Sequence, residues 1–422
     1  MRCERLTLSG DPGALAQELR DLIPAPESVK DTVAEIIARV RASGDDALRY
    51  YTREFDTGGS TPSALRVPEA ELDTAEARLD DVVRAGLRVA ISNVRRVAEA
   101  AVGHDQAVAF DDHEVRLREV PVDSAAIYVP GGRASYPSTV IMGTITARVA
   151  GVREIAVCAP PGANGEVDAV VLGACRLAGA SVVYRMGGAQ AIAALAYGTE
   201  TVAPVDVIVG PGNLYVQEAK RQVFGQVGID GFAGPSDLVV IASGEDGVDP
   251  ALLALDLIAQ AEHGSGSMVV AISTSGALLD ALARALADAP DTKAIVRLVQ
   301  VTEIGQALAV SEAFAPEHLQ LVGPQAEALA ERVRHAGCVM VGVESGTAFS
   351  DYIAGSNHVL PTNAAARFAS ALSPVHFRRR FTEVRIGSGA AQLARAAAPI
   401  ARAESFEWHA RSMEARIRDN ES

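Results

Sequence analysis

The sequence contains no apolar run that approaches the ~20 residues of a membrane-spanning helix. Its opening residues, Met1-Arg2-Cys3-Glu4-Arg5, also lack the basic-then-apolar pattern of a secretion signal. Hydrophobic residues make up 49% of the 422 residues and charged residues 22%, as in a globular protein. The length predicts about two to three folding units. We therefore expect a protein of the cytoplasm.

Positive charge is scarce in this chain. The formal net charge is −15 at pH 7, whereas binding to nucleic acid or to an anionic membrane requires a local excess of Lys and Arg. Both kinds of partner are therefore disfavoured. The run Arg378-Arg379-Arg380 is an exception, but it is short and has no interleaved aromatic residues. We predict that it forms the solvated face of a helix.

Cysteine is also scarce, and the four residues show no C-x-x-C spacing: Cys3, Cys158, Cys175 and Cys338. In a chain without a secretion signal we expect them to be reduced and buried. Cys158 and Cys338 lie in apolar, strand-like runs. These surroundings favour packing over nucleophilic chemistry.

The order of helical and strand-like patterns predicts the fold class. Apolar residues recur at helical spacing over 28–51 and 69–100, which indicates an α-rich N-terminal part. From Ala125 onward, continuous apolar runs alternate with helical segments, and a second alternating block begins at Asp237. Apolar strands separated by helices are typical of parallel sheets. We therefore predict an α/β fold with two related parallel-sheet (incomplete Rossmann-like) domains.

The chain from Ser373 onward has a different pattern. Its last part predicts two helices rich in Ala and Arg, over 390–402 and 404–418, and the segment contains no strand that would pair with another. We interpret it as a small helical C-terminal tail. An amphipathic tail of this kind packs either on its own core or on a second subunit.

The G-x-G-x-x-G fingerprint of dinucleotide-binding domains is absent. Three other glycine segments each follow a predicted strand: Gly131-Gly132, Gly187-Gly188 and Gly210-Pro211-Gly212-Asn213. Glycine lets the backbone approach a ligand, and ligands bind at the carboxyl ends of strands in open α/β sheets. The same pattern is compatible with three ordinary βα turns, so both interpretations stay open at this point.

Gln260 and His263 carry the first indication of a metal site. A helix over Asp256–His263 sets them three residues apart on one face, and zinc accepts both oxygen and imidazole nitrogen ligands. Gly264 would end the helix and open its edge to a loop. Alone, the pair favours the interpretation as an ordinary helix end with a surface His and Gln, unless other segments supply further ligands.

Further acids and histidines occur together in three other segments. Glu317 and His318 precede an apolar, strand-like run, a junction at which catalytic side chains are often displayed. The other two segments contain Asp351 with His358, and Glu404 with His409. The remaining histidines lie in ordinary charged or helical surroundings, and we interpret them as surface or capping residues: His104, His113, His335 and His376.

Several motifs in the chain resemble histidinol dehydrogenase, and the resemblance runs nearly end to end. They are Gln260 with His263, Pro-Glu-His-Leu at 316–319, Asp-Tyr-Ile-Ala-Gly-Ser-Asn-His-Val-Leu-Pro-Thr at 351–362, the run from Met186 to Ala196, Tyr-Val-Pro-Gly-Gly at 128–132, Val-Gly-Pro-Gly-Asn at 209–213 and Ala-Gly-Pro-Ser-Asp at 233–237. The resemblance implies oxidation of L-histidinol to L-histidine by two hydride transfers to NAD, through an aldehyde held at the site.

The resemblance also implies roles for individual residues. The expected zinc ligands are Gln260, His263, Asp351 and His409, and the expected NAD contacts are Tyr128, Gln190 and Asn213. The substrate would be bound by Ser236, Gln260, His263, His318, Asp351, His358, Glu404 and His409, with Glu404 suited to its imidazole.

We predict that His318 is the general base for the alcohol proton, because a neutral imidazole titrates near working pH. Glu317 would activate water for attack on the aldehyde. A cysteine that forms a thiohemiacetal finds no support, because none of the cysteines lies in a matched segment. Two alternatives are a related zinc- and NAD-dependent dehydrogenase of another small amino alcohol or polyol, and a zinc-binding protein without catalysis.

The resemblance implies a homodimer in which the tail, 373–422, crosses to the partner and completes its site. It further implies an N-terminal segment over 1–25 and a main domain formed by 26–128 with 236–372 around an inserted NAD-binding domain over 129–235. Some residues depart from the family pattern. The family commonly has Glu at Asp237 and Gly at Ser350 and Ser405, and Trp408 is bulkier than usual.

Overall fold

The computed structural model describes residues 1–24, 28–60, 64–131, 135–244 and 248–417. Its strands are β1 (Cys3–Thr7), β2 (Gln106–Ala109), β3 (His113–Pro121), β4 (Ser124–Tyr128), β5 (Glu154–Ala159), β6 (Val182–Arg185), β7 (Val207–Val209), β8 (Gly228–Ile229), β9 (Asp237–Ala242), β10 (Met268–Ser273), β11 (Ile295–Gln300), β12 (His318–Val322), β13 (Cys338–Val341) and β14 (Arg378–Ile386).

The helices are α1 (Pro12–Asp21), α2 (Lys30–Tyr51), α3 (Glu69–Ala77), α4 (Asp81–Ala100), α5 (Pro137–Ala150), α6 (Ala169–Ala178), α7 (Gly188–Tyr197), α8 (Leu214–Val223), α9 (Pro250–Ala261), α10 (Gly276–Ala287), α11 (Ile304–Phe314), α12 (Pro324–Glu327), α13 (Thr347–Tyr352), α14 (Ala390–Ala403) and α15 (Glu407–Glu414). A turn of π-helix over Thr52–Asp56 follows α2. Gly132 of the predicted glycine segments and the last residue of the predicted tail helix, Arg418, lie outside the described residues.

The first parallel sheet has the strand order β1-β11-β10-β9-β12-β13. Its central strands β9, β10 and β12 are buried along their whole length. Separate apolar clusters cover the two faces of the sheet, which explains why these strands appear in the sequence as continuous apolar runs. Strand β1 was not predicted, since its burial pattern is that of a half-exposed edge strand.

The second parallel sheet has the order β6-β5-β4-β7-β8. Helix α2 packs on one of its faces with α7 and α8, and helices α3 and α4 pack on the other with α5 and α6. The N-terminal helices therefore cover this sheet, to which β4 also belongs. The predicted division into 1–25, 26–128 with 236–372, 129–235 and 373–422 stays a prediction.

The two parallel sheets share one topology. Apart from the additional edge strand β1 of the first sheet, each sheet begins at a central strand (β4 or β9), adds the next two strands on one side, and then crosses over to the other side for β7 or β12. The predicted α/β class with two related parallel sheets is confirmed. A strand order that reverses in this way creates a crevice at the carboxyl edge, where ligands bind in many α/β proteins.

A third, antiparallel sheet joins the tail to an earlier segment, in the order β14-β3-β2. Two predictions are wrong here: the tail does have a strand partner, and Arg378-Arg379-Arg380 lies in β14 rather than on a helix. Cross-strand ion pairs explain the difference, because Arg380 pairs with Glu119 and Glu383 pairs with Arg118. Residues 102–121 and 378–422 form one compact unit of the chain, and 1–101 with 122–377 form the other.

Three smaller expectations can be compared with the structure. The sequence pattern over 325–335 predicts a helix, but the structure has only the short α12 and a 3-10 turn at Ala330–Arg332. All four cysteines are free, with Cys158 and Cys175 buried as predicted and Cys3 and Cys338 only half-buried. None of the helices in the described ranges is long and apolar enough to cross a membrane.

Candidate active site

The amino edge of the first sheet holds a chain of buried hydrogen bonds. Ser236 lies just before β9, and its hydroxyl donates to Oε2 of Glu317, which lies just before β12. The amide nitrogen of Gln260 donates to Oγ of Ser236 at 2.6 Å. Glu317 and Gln260 are 7% and 2% exposed. The parallel pairing of β9 and β12 thus brings Ser236 and Glu317 together, and Gln260 joins them from α9.

Asp237 holds Glu317 in place. The backbone N–H of Glu317 donates to Oδ1 of Asp237 at 2.6 Å, and the N–H of Asp237 donates to Oε2 of Glu317 at 3.1 Å. Burial, followed by the charge of Glu317, raises the pKa of Asp237 to about 7. Sequence reasoning noted this position only as a departure from the family. The adjacent Ser236 was the available signal.

His318 lies between two carboxylates. Its Nε2 atom is 3.0 Å from Oδ1 of Asp351, and its Nδ1 atom is 3.6 Å from Oε2 of Glu317. Burial alone would lower the pKa of His318, but the charge of Glu317 and the hydrogen bond with Asp351 raise it well above its usual value. The side chains of this chain alone therefore favour the protonated imidazole, whereas the sequence predicts a neutral one.

Asp351 and His358 extend the network toward the second sheet. Nδ1 of His358 is 2.9 Å from the backbone oxygen of Asp351, and its Nε2 is 3.1 Å from the hydroxyl of Thr139 in α5. Burial lowers the pKa of His358 and so favours the neutral imidazole. Burial opposes ionisation of Asp351, but the hydrogen bond with His318 and the nearby imidazole charges lower the pKa of this carboxyl overall.

Gln260 and His263 lie at the C-terminal end of α9, as predicted. The helix ends at Ala261, and Gly264 has a φ of 91°, which only glycine adopts without strain. Because the amide nitrogen of Gln260 is bonded to Ser236, its amide oxygen is the atom that can serve as a ligand. The charge of His263 also contributes to the low pKa of Asp351, after the larger contribution of His318.

Glu404 and His409 belong to the compact unit that contains the tail. Glu404 caps α14, His409 lies in α15, and both are exposed. In the part of the chain that the structure describes, no group of three His, Cys, Asp or Glu side chains is close enough to hold a metal ion. The predicted ligand set contains only two such residues, His263 and Asp351, in the first unit.

Tyr128, Gln190 and Asn213 lie at or after the carboxyl ends of β4, β6 and β7. The Tyr128 hydroxyl accepts a hydrogen bond from the N–H of Gly188 at 3.0 Å, and the Asn213 side chain caps α8 through the N–H of Val216. Gln190 is 1% exposed, and its amide nitrogen has no partner among the described residues. Such an unpaired buried donor is costly unless a ligand accepts its hydrogen bond.

The turn after β7 is built around glycine and a buried ion pair. Gly210 has a φ of 117°, and a Cβ there would collide with the backbone oxygen of Tyr128. Lys220, 1% exposed, donates to the oxygen of Gly210 at 2.5 Å and to Asp230 at 2.6 Å, while Asp230 accepts from the N–H of Gly210 at 2.7 Å. Sequence reasoning missed this pair, because its members lie 10 residues apart with no recognisable motif.

Comparisons with known proteins show the family to which this chain belongs. The family model described as histidinol dehydrogenase matches residues 24–417. The chain belongs to the histidinol dehydrogenase family. A histidinol dehydrogenase of Rhodospirillum rubrum is 44% identical over 409 residues, covering 93% of each chain, and one of Pseudomonas aeruginosa is 42% identical over 407 residues, covering 93% of this chain and 92% of the relative.

A crystal structure of histidinol dehydrogenase from Elizabethkingia anophelis superimposes with a TM-score of 0.92 at 29% identity, covering 100% of this chain and 99% of that one. The resemblance to histidinol dehydrogenase that the sequence motifs predict is therefore confirmed. Ser405, where the family commonly has Gly, has a φ of 66° that favours glycine. Ser350 is buried within α13 and bonds the backbone oxygen of Thr347 at 2.7 Å.

Proposed function

We propose that the protein oxidises L-histidinol to L-histidine in two successive hydride transfers to NAD, through histidinaldehyde, in the biosynthesis of histidine. The buried network of Ser236, Glu317, His318 and Asp351 carries this proposal, because it joins in one place the residues that the family motifs predict. Membership of the family supports the reaction. No observation favours another amino alcohol or a polyol.

We propose that Gln260, His263, Asp351 and His409 bind one zinc ion per subunit. The donors fit zinc, since an amide oxygen, a carboxylate and two imidazoles form an N and O ligand set of the kind it accepts. When bound, zinc would offset the charge of Asp351 and act as a Lewis acid toward the hydroxyl and carbonyl oxygens of the substrate.

The hydride acceptor would bind at the carboxyl edge of the second sheet, next to Tyr128, Gln190 and Asn213. The reversal of strand order between β4 and β7 supports this location. The unpaired amide nitrogen of Gln190 supports it independently, because a bound nucleotide would supply the missing acceptor.

His318 would take the proton of the substrate alcohol. Its Nε2 atom bonds to Asp351, while Nδ1 is buried with no hydrogen-bond partner in the described part of the chain, so Nδ1 is the atom that could exchange a proton. The base must be neutral when it acts. Ser236, His358 and Glu404 would hold the substrate, with Glu404 at its imidazole.

Glu317 would serve the second oxidation. Its Oε2 atom accepts hydrogen bonds from Ser236 and from the N–H of Asp237, which fixes the carboxylate and leaves Oε1 to take a proton from water. Addition of that water to the aldehyde gives a hydrate, from which the second hydride leaves. One histidinol therefore yields one histidine and two NADH.

A direct assay tests the proposed reaction. Purified protein loaded with zinc is incubated with limiting L-histidinol and excess NAD, and NADH absorbance and histidine are both measured. We expect two NADH for each histidine formed. Absence of NADH formation with histidinol would contradict the proposed function, and one NADH per substrate with accumulation of aldehyde would contradict the second step.

We further propose a homodimer in which each tail completes the site of the other subunit. The tail exposes large apolar side chains that a partner surface would cover: Ile400, Phe406 and Trp408 are 61%, 53% and 77% exposed. The proposal also explains why His409 is separate in sequence and in compact unit from the other three ligands.

Mixed dimers test the exchange of tails. His409→Ala protein and Glu317→Gln/His318→Ala protein should each be nearly inactive. In a heterodimer one site would carry both defects and the other none, so up to about half of the sites should recover activity. Differently tagged, purified heterodimers with verified composition and bound zinc are compared with both parents. Heterodimers as inactive as the parents would show that the tail serves its own subunit.

A further inference from the structure

Asp56 is a carboxylate with no assigned role that reaches the candidate nucleotide site from the N-terminal part of the chain. It ends the π-helical turn Thr52–Asp56, which is anchored by Tyr51 in the core on the second sheet. A Cβ built on Gly187 would lie 3.4 Å from Oδ1 of Asp56. The carboxylate therefore lies beside the turn between β6 and α7, at the carboxyl edge of the sheet.

Two buried polar atoms at this edge of the sheet have no hydrogen-bond partner among the described residues. One is the Oδ2 atom of Asp56. The other is the amide nitrogen of Gln190, in the first turn of α7, and Gln190 is 1% exposed. Besides burial, the charge of Asp56 contributes to the raised pKa values of Tyr128 and Cys158, at the carboxyl ends of β4 and β5.

A buried carboxylate without a partner is costly to a folded protein. Burial raises the pKa of Asp56 to about 7, because the described residues supply neither a cation nor a donor that would favour the charged form. A ligand that donates hydrogen bonds would remove this cost. The carboxylate of Asp56 is thus suited to binding a ligand rather than to stabilising the folded protein.

The chemistry of the expected ligand follows from the topology. In dinucleotide-binding sheets, an acidic residue after the second strand commonly accepts hydrogen bonds from the ribose hydroxyls of NAD, and an Arg there accommodates the 2′-phosphate of NADP. In this sheet the second strand is β5, which is followed by Pro160-Pro161-Gly162. The first two acids after it are already engaged, since Glu166 pairs with Arg185 and Asp168 caps α6.

We propose that Asp56 replaces that acidic residue: its carboxylate accepts hydrogen bonds from the 2′- and 3′-hydroxyls of the adenosine ribose of NAD and excludes a 2′-phosphorylated dinucleotide. This inference rests on the proposed function, because it requires that NAD is the hydride acceptor. It adds a residue that selects between NAD and NADP, and this residue belongs to the region 26–128 rather than to the predicted NAD-binding domain over 129–235.

Binding of three ligands to the full-length zinc protein tests the inference: NAD, NAD lacking the 2′-hydroxyl of the adenosine ribose, and NADP. Hydrogen bonds to a charged group contribute enough for the unmodified protein to bind NAD about tenfold more tightly than the deoxy analogue. In Asp56→Asn and Asp56→Ala this preference should shrink toward one, and the discrimination against NADP should fall. Asp46→Asn, at an exposed carboxylate of α2, is the matched control and should change neither ratio.

Thermal unfolding without nucleotide separates a binding role from a structural one. Because Oδ2 of Asp56 has no hydrogen-bond partner among the described residues, both variants should unfold at the same temperature as the parent or at a higher one, even as their nucleotide preference is lost. An unchanged preference for NAD over the deoxy analogue in both variants would overturn this inference and leave the proposed function standing. A parent protein that binds none of the three ligands would overturn both.

Discussion

The two parallel sheets share the order of five strands, to which the first sheet adds β1, but they carry their polar side chains at opposite edges. In the second sheet, Tyr128, Gln190 and Asn213 lie at the carboxyl edge, beside the reversal between β4 and β7. In the first sheet, Ser236 and Glu317 lie at the amino edge, directly before the equivalent strands β9 and β12. Topology alone therefore does not determine which edge of a duplicated sheet carries the polar groups.

Close packing of the turns distinguishes the carboxyl edge of the first sheet from the carboxyl edge of the second. Gly323 follows β12 with a φ of 91°, and a Cβ there would collide with the hydroxyl of Ser243 after β9. Gly244 packs against Ser275 in the same manner. The described turns at this edge thus contact one another, whereas the second sheet keeps an unpaired donor and an unpaired acceptor at its equivalent edge.

The two polar edges meet through His358. Helix α5 begins near the carboxyl edge of the second sheet, and its Thr139 is 3.1 Å from one nitrogen of His358. The other nitrogen is bonded to the backbone of Asp351, whose carboxylate bonds His318. A substrate held at the first sheet would therefore lie next to a nucleotide held at the second.

The largest effect should come from removing the metal. Complete chelation, or His263→Ala, should abolish histidinol oxidation and leave the affinity for NAD unchanged, because the proposed ligands lie at the edge of the first sheet and the nucleotide at the second. Metal content, NADH formation and NAD binding are measured on one sample. Zinc should restore the chelated protein, and His335→Ala, at a half-exposed histidine paired with Glu312, is the control. Full turnover by metal-free protein would end the zinc proposal.

Glu317→Gln should have the next largest effect, and it should be confined to one half of the reaction. An amide cannot take a proton from water, so oxidation of supplied histidinaldehyde should slow by about 10²–10⁴-fold, while the first hydride transfer is less affected. Single-turnover NADH formation from histidinol and from the aldehyde separates the steps. Equal losses in both would indicate that Glu317 acts on geometry instead.

A smaller effect is expected where the two edges meet. Thr139→Val removes the hydroxyl that bonds His358, a loss of about 1 kcal/mol, and should lower kcat/KM for histidinol roughly fivefold. Thr144→Val is the matched control, because this threonine of the same helix is also buried but its hydroxyl has no partner among the described residues. Kinetics and thermal unfolding of both variants are compared. Similar losses in the two would show that the Thr139 contact has no special role.

The sequence predicts the fold class and the site residues because both depend on local signals. Continuous apolar runs reveal buried parallel strands such as β9 and β10, and the motifs around Glu317 and Asp351 identify the residues that the network joins. The third sheet was missed because β14 has an almost entirely exposed or half-exposed pattern without apolar alternation. Its pairing depends on β3, more than 250 residues earlier in the register Arg380↔Glu119.

Other features could not be predicted because they depend on long-range packing. The raised pKa of His318 results from two carboxylates, one adjacent in sequence and one 33 residues away. Asp237 and Glu317 are 80 residues apart in the sequence but form hydrogen bonds with each other in the structure. Asp56 is recognisable only because its Oδ2 atom is buried without a hydrogen-bond partner in the part of the chain that the structure describes. The resemblance to the family predicts roles for individual residues. The neighbouring groups that set the pKa values of these residues are known only from the structure.

Hydrogen exchange with NAD alone tests most directly the claim that the two sheets use opposite edges. We predict that NAD slows amide exchange at residues 187–190 and 210–213, after β6 and β7, and leaves the turns at 243–244 and 323, after β9 and β12, unchanged. The first sheet thus supplies the internal control for the second, since the two sheets share the order of five strands. Protection at 243–244 and 323, with none at 187–190 and 210–213, would contradict the account.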